Sequence, residues 1–336
     1  MPFYKMINTN IFVTVIAQIF RSVVSQWADS SFFAYRPTLV RLIIKYRKKA
    51  STMRKLWQTT WQCAAVFLCI VGGIIAASLG PSNQAAHGWL LLHDLYYPWV
   101  YLAVFYGLLT LLNRHCWPAN WHFTWHFPPR AAWGIAGSLA VIWSLAIWLL
   151  TPSYFIAAPA FSSFEFARTL AGFITAVLVT PLIEELAFRG VILARLSANY
   201  GARVGLWGSA LLFGASHLLN GRFQWQSALL ILLAGTAIGL LLALVRATTG
   251  TLWASYLVHA TFNGLPSLLM AQATPANDWP WTYLLTSHSL LLTGGEYGIN
   301  TALASLFTYL LTAGLVFGRA KRHGWTLAQA ELTRIQ

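Results

Sequence analysis

The chain has 336 residues, of which 57% are hydrophobic and only 9% charged, and it carries 17 Trp. Several apolar runs approach twenty residues, which excludes a soluble globular class and leaves a polytopic helical membrane protein. The net charge of +14 would suit nucleic acid, but the basic residues fall between apolar segments rather than along a surface stripe. Positive-inside topology accounts for them, and no nucleic-acid partner is expected.

Residues 1–56 read as a basic N-terminal extension. Ile11–Phe20 and Leu39–Ile44 are apolar but short and flanked by Lys and Arg, so both are expected as amphipathic helices at the membrane interface. The cluster YRKKASTMRK at 46–55 is a cytoplasmic anchor. Cys63, Cys69 and Cys116 show no metal-like spacing, and the first two read as small packing residues.

Eight spans follow, at approximately 60–80, 95–113, 131–150, 166–199, 203–220, 226–245, 251–270 and 301–318. The expected fold is therefore an all-α bundle of about eight transmembrane helices. N-terminal transmembrane helices occupy 57–160, a core of four helices 161–272, and an outer loop, last span and basic tail 273–336. Alternation gathers nearly all Lys and Arg on one face, with Arg222 the exception, and leaves Asp94, Glu165, Asp278 and Glu296 on the other. Both termini are then cytoplasmic, in an inner (plasma) membrane. The Trp/His segment 117–130 reads as an interfacial aromatic belt rather than a metal site. Gly235 and Gly239 form a GxxxG suited to close helix packing. Residues 271–300 form a long outer loop able to cap the bundle.

Chemistry concentrates in Val177–Tyr200. Only eight residues of the chain are acidic, and two of them, Glu184 and Glu185, stand side by side in this apolar run. A carboxylate at the centre of a membrane helix costs at least ~2.5–3.5 kcal/mol, so such residues mark function unless they are paired. Arg189 follows Glu185 by four, which places that pair on one helical face and leaves Glu184 about 100° away without the partner. Further on, Phe213 and His217 are four apart, as are His259 and Asn263. Counting from the cytoplasmic helix ends at ~1.5 Å per residue puts Glu184 roughly 24 Å deep, His217 21 Å, His259 14 Å and Asn263 20 Å. Polar groups from three helices thus reach one layer near the midplane. Each has a bland reading: a structural ion pair for Glu185–Arg189, interhelical hydrogen bonds for the His and Asn, core packing for Phe213. The set together indicates a site.

Glu184-Glu185-x3-Arg189, Phe213-x3-His217 and His259-x3-Asn263, in that order on successive spans, resemble the three motifs of the CPBP intramembrane proteases. That family includes CAAX prenyl endopeptidases of the Rce1 type and bacteriocin-processing and self-immunity proteins, and the resemblance covers about 166–270. Peptide hydrolysis needs an activated water, a proton for the leaving amine and donors for the oxyanion. Glu184 is the expected general base, His217 the group that shares or orients the water, and His259 and Asn263 the oxyanion donors. Glu185 and Arg189 support the site, and Phe213 shapes the pocket or contacts substrate. The resemblance implies the same division of labour. It also implies cleavage of membrane-associated peptides or proteins, which would reach the site from the cytoplasmic side. No cofactor is expected, since the chain has no HExxH. Zinc held by Glu184, His217 and His259 is the metal-dependent alternative. A non-enzymatic membrane scaffold or self-immunity protein is the other.

Overall fold

In a bilayer every backbone polar group must be satisfied within the chain, so long apolar segments fold as helices. The computed structural model describes residues 36–79, 87–116, 127–158 and 160–326. Two compact units, Met1–Gln58 and Thr59–Gln336, divide the chain. In the first, residues 36–58 are helical, and Trp57 is 71% exposed. The interfacial helix expected at Ile11–Phe20 lies outside the described residues, as does most of the Trp/His segment. Leu39–Ile44 belongs to a helix that also takes in the first expected span.

The helices are α1 (Arg36–Ala77), α2 (His87–Cys116), α3 (Arg130–Leu150), α4 (Ser163–Tyr200), α5 (Ala202–Ser216), α6 (Trp225–Thr249), α7 (Leu252–Leu269) and α8 (Leu303–Arg322). Each of the eight expected spans falls on one of them. Among the described residues six helices are long and apolar enough to cross a membrane by length and composition. The other two are α5 and α7, at 15 and 18 residues. These two carry Phe213, His259 and Asn263, and α5 gives way to a 3-10 turn that begins at His217. α5 is cut short by that turn, and α7 carries its two polar site residues within 18 residues, so neither reaches the length and apolarity of the other six.

Chain reversals at one end use glycine where the backbone needs positive φ. Gly201 (φ 88°) separates α4 from α5, and Gly250 (φ 74°) separates α6 from α7. Thr251 then caps α7 by accepting from the Trp253 N–H, as Ser162 caps α4 by accepting from Glu165. α6 is the most buried helix, packed against α5, α7 and α8. Trp143 of α3, 1% exposed, donates its indole N–H to Ser305 of α8 at 2.9 Å and joins those helices through a satisfied polar contact.

α5 packs on α6 backbone to backbone. A Cβ at Gly214 would lie 2.7 Å from the Thr236 backbone nitrogen, at Gly235 2.8 Å from Gly214 Cα, and at Gly239 2.9 Å from the Ala210 carbonyl oxygen. Small residues let the two backbones touch. Gly214→Val is expected to cost about 1–3 kcal/mol through overpacking and to lower the melting temperature, because the obstructing atoms are backbone. Gly137→Ala on α3, where the added Cβ meets open space, is the matched control and should melt like the parent.

The outer loop is more ordered than its sequence suggested. β1 (Ser153–Ala157) pairs antiparallel with β3 (Trp281–Leu285), and the short β2 (Ala271–Gln272) pairs parallel with β3, in the order β1-β3-β2. Trp279 packs among Phe166, Phe173 and Trp281. At this end Arg168 is a second basic exception that the charge pattern passed over. It is neutralised locally by Asp94 at 2.6 Å and Glu165 at 3.6 Å. Asp278 accepts from Thr169, and Glu296 from the Gln224 backbone.

Candidate active site

The site is built on a distortion of α4. Residues Thr175–Val179 and Glu185–Ile192 are wound as π-helix on either side of a short α segment that ends at Glu184. Pro181 explains the first widening. A proline inside a helix lacks an N–H and crowds the carbonyl four residues back. The Thr180 N–H bonds Thr175, five residues back, and Pro181, next in line for Ala176, has no proton to give. The orphaned Ala176 carbonyl is met by Asn263 Nδ2 of α7 at 2.7 Å. This contact orients the Asn263 amide and uses one of its two N–H donors.

The two adjacent carboxylates have different fates. Glu185 is fully buried; its Oε1 lies 2.9 Å from Arg189 and 2.9 Å from His259 Nδ1. Arg189 is equally buried, donates also to the Gly239 carbonyl at 3.0 Å, and stacks its guanidinium 4.4 Å from the Phe213 ring centroid. Glu184 keeps 19% of its side chain exposed and lines a cavity of about 200 Å³ with His217, His259, Asn263 and Phe213.

Both imidazoles are held through Nδ1. His217 Nδ1 is 2.8 Å from the Phe213 carbonyl. A carbonyl can only accept, so Nδ1 carries the proton and Nε2 of the neutral ring is left with a lone pair. His259 Nδ1 donates to Glu185, and its Nε2 stands 3.5 Å from Glu184 Oε2. Phe213, 1% exposed, touches both rings edge-on, with centroids 4.7 Å from His217 and 5.6 Å from His259. It is a shared packing wall for the two imidazoles.

All seven side chains named from sequence therefore meet around this cavity or in the layer directly behind it. The bond from His259 to Glu185 had no counterpart in the sequence pattern, which paired Glu185 with Arg189 alone. Sequence reasoning also missed Tyr297, Asn220 and Asn300, which line the same cavity. Tyr297 comes from the outer loop, its ring 5.8 Å from that of His217. Burial, with the Glu184 charge adding to it, pushes the phenol above its ordinary range, so it stays a donor. No local spacing links residue 297 to residue 217.

Residues 166–265 match the family model described as type II CAAX prenyl endopeptidase Rce1-like, and the match spans all three motifs. This segment is similar to the Rce1-like family, and the match covers under a third of the chain. The chain finds no match among curated proteins or among solved structures. The Rce1-like segment holds α5, α6, almost all of α4 and most of α7, while α3, α8 and the outer loop close around it.

Proposed function

We propose that the protein is an intramembrane endopeptidase in which Glu184 activates a water for attack on the peptide carbonyl. The observation that carries this reading is the contrast between adjacent carboxylates. Glu185 is committed to Arg189 and His259, whereas Glu184 lines the cavity with both imidazoles. A water bound between Glu184 and His217 Nε2 would give one proton to the Glu184 carboxylate as its oxygen bonds to the carbonyl carbon. The resulting oxyanion would be met by the second Asn263 N–H and the Tyr297 hydroxyl, and by His259 Nε2–H when that ring, its Nδ1–H held by Glu185, is the imidazolium. Collapse breaks the C–N bond, and the proton held by Glu184 passes to the leaving amine.

Among the described residues no three His, Cys, Asp or Glu side chains form a metal-holding group. The hydrolysis proposed here uses protein groups alone. The substrate proposed is a membrane-associated peptide or protein segment approaching from the cytoplasmic side, with both termini of the enzyme on that side.

The test is cleavage of candidate cytoplasmic-tail peptides by purified protein in liposomes. His217→Ala should lower turnover by about 10²–10⁴-fold. Exhaustive chelation should leave wild-type activity intact. One equivalent of tightly held zinc, with activity that returns only on adding zinc, would establish the metal-dependent alternative. Cleavage unaffected by the substitution would reject the site, and a cellular phenotype that persists without any cleavage would favour a scaffold.

A further inference from the structure

Away from the site, the bundle end that carries Arg130, Arg319 and His323 contains two adjoining cavities, of about 690 Å³ and about 340 Å³. Both are walled by Ala131, Ile135, Val316 and Arg319. Arg130 is the first residue of α3 and Arg319 lies in the last turn of α8, so both sit where an apolar span meets the membrane surface. No acid is available to them among the described residues. Asp94, Glu165, Asp278 and Glu296 are engaged at the opposite end, and Glu184 and Glu185 belong to the site.

The smaller cavity continues from these cations as an apolar groove between two helices. On α3 it follows Arg130, Gly134 and Ser138, spaced by four on one face; on α8 it follows Arg319, Leu315 and Thr312. Eight residues of helix carry it about 12 Å below the surface. A Cβ at Gly134 would meet open space, and the Ser138 hydroxyl is satisfied by the Gly134 carbonyl at 2.8 Å, so the α3 wall asks for no polar partner.

We propose that this is a binding site for an anionic phospholipid, with the phosphate between Arg130 and Arg319 and an acyl chain lying in the groove. Unpaired cations at the mouth and a hydrocarbon-sized channel below match the two halves of such a molecule, and a free anion would use only the first. Basic pockets between membrane helices take lipid headgroups by this electrostatics. Trp325, in the wall of the wider cavity, is the residue type that settles at headgroup level. The site is independent of the protease reading.

The experiment uses the full chain in phosphatidylcholine vesicles, with and without dioleoylphosphatidylglycerol, read by melting temperature and by lipid retained in native mass spectrometry. The anionic lipid should raise the melting temperature and be retained. Arg130→Gln and Arg319→Gln should each weaken retention about fivefold, since each basic residue near an anionic surface contributes about 1 kcal/mol. Gly134→Phe should weaken it by filling the groove without removing charge, whereas Arg222→Gln at the other end should change nothing. Retention that ignores the arginine substitutions would overturn the site. So would equal stabilisation by inorganic phosphate in phosphatidylcholine vesicles. Binding that needs the arginines but tolerates Gly134→Phe would reduce the site to surface electrostatics and reject the groove.

Discussion

Glu184→Gln is expected to lower peptide hydrolysis by at least ~100-fold while the melting temperature stays at the parent value. The substitution keeps size and hydrogen-bonding capacity but removes the oxygen that would accept the water proton. Glu184 is the partly exposed member of the acidic pair and forms no bond to Arg189. His259 Nε2 approaches it at 3.5 Å, too long to be a strong hydrogen bond. Folding should therefore tolerate the change. Turnover within a few-fold of wild type in liposomes would remove Glu184 from the mechanism.

Glu185→Ala should act in the opposite way, through stability. It strands the fully buried Arg189 guanidinium with only the Gly239 carbonyl and the Phe213 ring, and it takes the acceptor from His259 Nδ1. Removing one member of a buried ion pair costs about 3–5 kcal/mol, which lowers the melting temperature by roughly 4–7 °C in a chain of this size. The double variant Glu185→Leu with Arg189→Met removes both charges and should regain most of that stability. It should not regain activity, because His259 still lacks the group that orients it. A double variant as active as wild type would reduce the pair to packing and sever it from the site.

The trio of motifs could be read from spacing because each lies within about one turn of a single helix. Residues four apart share a face whatever surrounds them, so Glu185–Arg189, Phe213–His217 and His259–Asn263 are local facts. Depth counting brought them to one layer, since helix rise is fixed. The same counting treated α5 and α7 as ordinary spans. It missed that α5, at 15 residues, stops short at His217, and that α7 carries His259 and Asn263 within only 18 residues. Charge alternation likewise passed over Arg168, whose neutralisation by Asp94 joins residues 74 apart.

By itself the sequence determined the membrane class and the helical composition, and it singled out seven side chains that the fold gathers at one cavity. Hydrophobicity and the 3.6-residue period act within a segment and need no knowledge of its neighbours. Only the tertiary structure decided that His259 bridges towards both carboxylates, that Asn263 answers a carbonyl freed by Pro181, and that Tyr297 reaches the cavity from the outer loop. Those contacts depend on how far each helix is rotated and how closely it approaches the next. That is set by backbone contact at Gly214, Gly235 and Gly239 and by packing summed over the whole bundle, which no single segment encodes.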